Sequence, residues 1–520
     1  MGNNEKAKSL AKNTLLFTIS SFGTKLLTFF LIPLYTSVLS TEDYGVADLI
    51  SVTAAFLMYI LTMDIKSSVL RFAIDKNNNQ EGILLYGFKI LFLGSALLAV
   101  GIGVIWALNI VKWEAYCFVF LWLTFFILAL YDILSNYLRA IDKIAAIVVS
   151  GLIITGITIA SNLLLLLVFK LGVLGYLISA LLGNFIACIF CLIIIKPNLK
   201  NIKAKMCEPA IRKEMLKYSF PLVFNGIAWQ INASLDKYFI TAYCGTGENG
   251  IYSVASKIPM ILTTVMTVFL QAWNLSAIKD FDKNDADGFF AKIYKSFNAI
   301  LVLGCAALIF INIPVAKILF QKGFFGAWQY SSILLISSMF SALSSFLGGI
   351  FTAVKDSKTI AFSAVLSALV NTILNMLLIP RWGALGAAIA TVVSFLAIWI
   401  VRIIFAYKHI FWKLNLWVDI TCYLLLIGQV VLEHLEDHCY WGQACIVAIV
   451  LALNAKRILD SMKSILAVLK KKFVGGKSEL QVDEQKETMN VSDGVKQESS
   501  EQLIEEDVNE NSSNCSNEIK

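Results

Sequence analysis

Stretches of about 20 apolar residues recur along this chain, and runs of that length are what a bilayer-spanning helix requires. Fourteen begin near Asn13, Tyr44, Ile83, Ala115, Ile144, Val173, Tyr218, Gly250, Ile293, Ala327, Thr359, Ala384, Leu414 and His438. A soluble globule of 520 residues has no interior for so many. The composition agrees: 58% of residues are hydrophobic and only 15% charged, where soluble proteins carry about 25% charged residues. Soluble enzymes, nucleic-acid binders and secreted disulfide scaffolds are disfavoured together. The chain reads as an all-α integral membrane protein with about fourteen transmembrane helices.

Charge in the loops orients the spans, because cytoplasmic loops carry the excess of Lys and Arg. With the N-terminus inside, the inner segments hold 30 basic residues, whereas the outer loops hold Lys112, Lys170, Lys317, Lys322 and Arg381. Both termini are therefore expected in the cytoplasm. The N-terminal apolar run is too long for a signal peptide and reads as a retained first span. From Phe473 onward the chain has 12 acidic and 4 basic residues with no aromatic residue beyond Phe473, so 473–520 is expected to be a disordered acidic cytoplasmic tail. Cys188 and Cys191 lie one helical turn apart inside a span and read as packing residues.

An internal repeat divides the rest. Ala140–Lys143, Asn162-Leu-Leu and Gly172–Ile178 return as Ala353–Asp356, Asn375-Met-Leu-Leu and Gly383–Ile389. The junction Asp43-Tyr44-Gly45-Val46 returns as Asn249-Gly250-Ile251-Tyr252. An even six-span unit keeps its orientation, so the repeats are parallel and related by an axis along the membrane normal. The expected layout is an N-lobe over 1–217 with a basic linker at its end, a C-lobe over 218–408, two extra helices over 409–472, and the tail. Two such lobes enclosing a central cavity make a carrier.

Polar residues in a spanning helix usually face a bundle interior or a water-filled cavity. At helical spacing they form one face on four spans. The first carries Thr14, Thr18, Ser21, Lys25 and Thr28; the second Asp48, Ser51, Ala55, Thr62 and Lys66; the seventh Asn225, Trp229, Asn232 and Asp236. The eighth carries Ser253, Lys257, Met260, Thr264, Thr267, Gln271 and Asn274. These are the spans that the repeat pairs, first with seventh and second with eighth. Candidate substrate-binding residues are Lys25, Thr28, Asn225, Asn232, Asp236, Lys257, Gln271 and Asn274. Asp48, Asp64 and Asp236 are candidate carboxylates for ion coupling, and Lys66 and Arg71 are charges at the inner mouth. A second stripe on the seventh span, Gln230, Ser234, Lys237 and Thr241, points away from the first and is expected to pack on a neighbour. Glu433, His434 and His438 only superficially resemble metal ligands, and no metal or other cofactor is expected. No phosphate-binding GxxxxGKS/T motif appears. No carboxylate pair has a catalytic setting, so the chain is not expected to be an enzyme.

The opening residues Asn13–Phe17, Phe22-Gly23-Thr24-Lys25, Ile32-Pro33-Leu34-Tyr35-Thr36 and Tyr44-Gly45 resemble those of bacterial polysaccharide flippases. So do Phe220-Pro221, Asp236–Ile240 and Gly250–Ser253. These flippases form the polysaccharide-transport branch of the multidrug/oligosaccharidyl-lipid/polysaccharide exporter superfamily. The resemblance runs from Ala11 to about Phe405, and the last two spans fit the fourteen-span members. It implies movement of an undecaprenyl-diphosphate-linked oligosaccharide from the inner to the outer leaflet of a bacterial cell membrane. It also implies a cationic cavity between the lobes, matched by Lys25 and Lys257. Expected partners are membrane lipid, the lipid-linked oligosaccharide, and the glycosyltransferases and polymerase of the same pathway, with no nucleic acid. The alternatives are a multidrug/cation antiporter of the same superfamily and, from another class, a membrane polysaccharide polymerase or glycosyltransferase. Short outer loops disfavour the last.

Overall fold

The computed structural model describes residues 29–75, 77–109, 113–196, 207–279, 281–286, 288–435 and 438–459. The beginning of the first expected span, with Lys25 and Thr28, lies outside the described residues, as do 197–206 of the basic loop and the acidic tail. The described elements are helices, and no strand occurs among them. In chain order they are α1 (Ile32–Val38), α2 (Thr41–Leu61), α3 (Ile65–Ala73), α4 (Gln80–Ala107), α5 (Ala115–Ala140) and α6 (Ile144–Asn162). After a π-turn at Leu163–Val168 come α7 (Gly172–Ile195), α8 (Pro209–Cys244), α9 (Thr246–Ala255) and α10 (Lys257–Lys279). Then follow α11 (Phe289–Phe310), α12 (Asn312–Leu319), a 3₁₀ turn at Lys322–Ala327, α13 (Trp328–Ala353), α14 (Ser357–His409) and α15 (Leu416–Glu433). The last is α16 (Tyr440–Leu459).

Eleven of the described helices are long and apolar enough to cross a membrane. α14 has 53 residues, about 80 Å at 1.5 Å per residue, or more than twice the hydrocarbon thickness. It turns back at Gly383 (φ 57, ψ −141), a conformation open to glycine alone at little cost, and so holds the two expected spans on either side of that residue. α8 is not among the eleven; its polar and charged residues dilute its hydropathy.

Several spans are built from two segments. Pro33, Pro259 and Pro314 each stand in the first turn of a segment, in α1, α10 and α12, where a missing N–H breaks no intrahelical bond. The second span breaks without proline: Met63 and Asp64 both adopt left-handed conformations (φ 50 and 47) between α2 and α3.

The sequence repeat is also a backbone repeat. Asp142 and Lys355 are both left-handed (φ 59 and 60), as are Gly172 and Gly383 (φ 56 and 57). The buried apolar side chains fall into two clusters. One is drawn from Ala47 to Met215; the other runs mainly from Ile240 to Val450 but takes in Leu31, Ile32, Tyr35, Leu39 and Tyr44. α13 is the most enclosed span, with 72% of its most apolar window buried. Trp273 of α10 stacks on Phe346 of α13 at 4.0 Å and donates from Nε1 to the Phe346 carbonyl at 2.8 Å.

Candidate functional site

The site begins where α2 and α9 meet. Ser40 caps α2 by accepting from the Asp43 N–H at 3.1 Å, and Glu42 and Asp43 occupy the first turn, where acidic side chains suit the helix dipole. The helices then touch backbone to backbone. A Cβ added to Gly45 would stand 1.9 Å from the Thr246 carbonyl oxygen, and one added to Gly250 would stand 2.0 Å from that of Thr41. The two contacts are images of each other, since Thr41 and Gly45 precede Thr246 and Gly250 by the same interval. A local two-fold axis passes between the glycines. Asn249 strengthens the junction, donating to the Gly45 carbonyl at 3.2 Å.

One turn further along α2, the same axis brings Asp48 onto Ser253, its counterpart in the repeat. The Ser253 hydroxyl donates to Asp48 Oδ2 at 2.7 Å. Lys237 of α8 completes the carboxylate's surroundings with Nζ 2.9 Å from Asp48, both side chains being 14% exposed. Asp236 points the other way. It is buried, accepting from the Tyr252 hydroxyl at 2.6 Å and from the Lys237 N–H at 2.9 Å. Buried carboxylates placed so are held by charge-assisted hydrogen bonds and not free for a new ligand without an exchange of partners.

α8 continues antiparallel to α2 and α3. Thr53 shares a hydrogen bond with Tyr238 at 2.8 Å. Gly226 lies against the Tyr59 ring, 2.1 Å from where its Cβ would be. Ser68 donates to the Met215 carbonyl at 2.6 Å, and Phe72 meets Tyr218 edge-on at 6.1 Å. This seam is closed from the Gly45 end to the Phe72 end.

The remaining expected residues divide. Asn225 is exposed beside the exposed Trp229. Asn232 turns to α14, donating to the Ala364 carbonyl at 3.4 Å and accepting from Ser367 at 3.5 Å. Lys257 is half-buried at the start of α10 and ion-pairs with no described residue. Gln271 is half-buried on the same helix, and Asn274 is exposed next to Gly349. Lys66 pairs with Asp132 at 2.6 Å, whereas Arg71 is exposed. Asp64 is buried at the α2–α3 break. The stripe containing Lys237, expected to pack on a neighbour, supplies the cation that reaches Asp48 of the neighbouring α2. At the far end of the chain, Glu433 accepts from Asn312 at 2.7 Å, and Trp328 packs against the His434 and His438 rings at 5.1 and 5.3 Å.

Two sets of residues escaped the sequence reading. Gly45 and Gly250 were expected at span junctions but stand inside α2 and α9. A buried polar ladder also runs through α14, where Ser367 and Asn371 bond Ser394 at 3.0 and 3.3 Å and Asn375 bonds Asn371 at 2.9 Å. Its signal was available: Ser367, Asn371 and Asn375 are spaced by four.

Known proteins carry the same organisation. The family model described as polysaccharide biosynthesis protein matches residues 10–274, and that of the lipid II flippase MurJ matches 213–441. The solved lipid II flippase MurJ in its inward closed conformation superposes with a TM-score of 0.67 at 18% identity, covering 86% of this chain and 100% of that one. An inward-facing multidrug resistance MATE family transporter superposes at 0.56 with 11% identity, covering 75% of this chain and 98% of that one. Membrane protein MJ1375 of Methanocaldococcus jannaschii is 25% identical over 46% of this chain, and the match spans only 60% of its own length. For MJ1068 of the same organism the values are 24%, 40% and 44%. At these identities the structures establish the shared fold, and the first family model covers just over half of the sequence. The chain belongs to the polysaccharide biosynthesis protein family.

Proposed function

We propose that this membrane protein is a flippase that carries a lipid-linked oligosaccharide on an undecaprenyl-diphosphate anchor from the inner to the outer leaflet, by alternating access of two lobes. The observation that carries the reading is the paired junction around Gly45 and Gly250. There the repeats meet through close backbone contacts and polar pairs, with Tyr44 packed on Phe324 beside them. Ion pairs such as Asp48–Lys237 are suited to such a seam, because water solvates both partners once the halves separate. A diphosphate leaving water needs cationic partners at depth. Lys257 is a half-buried cation without a described counter-charge, and Lys25 is its expected mate on the first span. Amide groups at Asn225, Asn232, Gln271 and Asn274 suit a glycan, while the polyprenyl chain stays in lipid. On this reading both termini face the cytoplasm of a bacterial cell, beside the pathway's glycosyltransferases and polymerase.

The test is a leaflet assay of lipid-linked glycan in cells lacking the gene. Accumulation on the inner leaflet, restored by the wild-type chain, supports the proposal; normal outer-leaflet delivery refutes it. Lys25→Ala and Lys257→Ala should each lose at least tenfold in complementation at wild-type abundance. The MATE-like fold favours multidrug/cation antiport as the second reading. Drug sensitivity with unchanged surface glycan would select it.

A further inference from the structure

The helices that join the two halves bring four acidic side chains into the seam or beside it, and the structure treats them differently. Asp48 is satisfied by Lys237 and Ser253, and Asp236 by Tyr252 and a backbone N–H. Asp132 on α5 holds Lys66. Of the four, Asp64 has a buried oxygen without a partner among the described residues: it is 5% exposed, its Oδ2 accepts from Ser67 at 2.6 Å, and its Oδ1 bonds to none of them. A buried polar atom left so costs roughly 1–3 kcal/mol, more when charged.

Asp64 lines a small cleft together with Tyr59, Thr62, Lys66 and Asp132, walled by Met58 and Ile133. Lys66 lies 2.6 Å from Asp132 Oδ2 and 5.2 Å from the Tyr59 ring centre, with its charge also felt by Asp64. Asp132 remains 33% exposed on its side chain, so the cleft is not sealed on that side. Two carboxylates against one ammonium leave a net charge of −1 in a partly dehydrated pocket. One single positive charge closes that balance, and a divalent ion overshoots it. No group of three or more His, Cys, Asp or Glu side chains that could hold a metal ion occurs among the described residues.

The geometry points to a monovalent-cation site at the α2–α3 break, in which Asp64, assisted by Asp132 and balanced by Lys66, takes up one proton or one sodium ion. The site rests on the transport reading and deepens it by giving the coupling ion a seat. It sits at the foot of α3, whose Ser68 and Phe72 contact Met215 and Tyr218 of α8. A charge gained or lost at Asp64 therefore acts on a segment that forms the seam. With Asp64 neutralised, Lys66 keeps Asp132. With Asp64 bare, the ammonium is shared between two carboxylates and α3 is pulled toward the break.

The experiment uses the purified full-length protein without lipid-linked substrate, so its outcome is independent of the glycan assignment. Binding of radiolabelled sodium is measured against choline, and infrared titration follows protonated carboxyl groups. Sodium bound at one per chain by wild type and lost by at least tenfold in affinity in Asp64→Asn identifies a sodium site. No sodium binding, but a carboxyl titration present in wild type and missing in Asp64→Asn, identifies a proton site. Should Asp64→Asn fail to accumulate, Asp132→Asn serves, with the same loss of at least tenfold expected for sodium or a displaced carboxyl titration for a proton. Wild-type behaviour of the variant in both measurements overturns the proposal. So does the absence of both signals in wild type, or their loss in Asp236→Asn alone.

Discussion

Replacing Gly45 by alanine tests whether the junction between the halves is a working contact. In an isolated helix the change favours folding by about 1 kcal/mol. Here the new methyl meets the Thr246 carbonyl oxygen at 1.9 Å, and nothing flexible stands in the way to yield. Reaching the 3.4 Å of ordinary contact requires the backbones of α2 and α9 to part by about 1.5 Å. That separation stretches the Asn249–Gly45 bond from 3.2 Å and the Ser253–Asp48 bond from 2.7 Å out of hydrogen-bonding range. Overpacking of a close interface costs about 1–3 kcal/mol, and two lost bonds add about 1 kcal/mol each. A 3 kcal/mol penalty on one state changes its population about 150-fold relative to a state in which the ends are apart. Gly250→Ala should do the same, because it presses on the Thr41 carbonyl across the local axis. The assay is disulfide trapping between Thr41→Cys and Thr246→Cys in a cysteine-depleted background, read beside complementation. Both alanine variants should trap at least tenfold more slowly and lose transport while accumulating normally. Wild-type trapping and transport in Gly45→Ala would show that the contact is not part of the cycle.

Removing one partner of a buried ion pair usually costs about 3–5 kcal/mol, so Asp48→Asn and Lys237→Met should each lower the melting temperature in detergent. The double variant should recover at least about 1 kcal/mol relative to the sum; strict additivity would mean that the pair is not formed. At the start of α14, the Thr359 hydroxyl, the Thr359 N–H and His409 hold the Asp356 carboxyl below the usual carboxylate range. A lowered folded-state value contributes stability above the unfolded pKa of about 3.9 that disappears as pH falls through the folded value. Asp356→Ala should therefore cost about 0.5–2 kcal/mol near neutral pH, shrinking in acid. A difference that grows on acidification would contradict the capping role.

Much of the architecture was legible because membrane helices follow simple periodicities. Apolar length gave the spans, and the returning Gly172 and Gly383 motifs mark positions where the backbone itself turns left-handed in both halves. The stripes on the second, seventh and eighth spans picked out α2, α8, α9 and α10. Helical phase did not show what each residue meets. Asp48 and Lys237 stand 189 positions apart, and no local pattern encodes such a pairing. The break at Met63 and Asp64 was equally hidden, since it lacks glycine or proline and aspartate tolerates the left-handed region better than most side chains. That break rotates Lys66 off the face it shares with Asp48 on an unbroken helix and delivers it to Asp132. Gly45 and Gly250 were visible as repeated letters, but a glycine chosen for a close approach and one chosen for a turn look alike in sequence.

The second span therefore carries two kinds of polar residue, and their separation along it explains how one helix can serve both a seam and a cycle. Toward its start, Gly45 and Asp48 are engaged by residues of the other repeat, so their groups are satisfied only while the junction is shut. At its far end, Asp64 and Lys66 are engaged within their own half, by Ser67 and Asp132, and keep those partners whether or not the junction is shut. A group of the first kind stabilises one state and is solvated in the other; it sets the balance between states but responds to no ion. A group of the second kind can change its charge in either state, and it reaches the seam only through α3. Coupling requires both, because an ion shifts a conformational equilibrium only by the difference in its affinity for the two states. In the cation site proposed above, the left-handed break would supply that difference. It makes α3 a separate segment whose position against Met215 and Tyr218 depends on where Lys66 is drawn, and a continuous helix would hold Lys66 in one place.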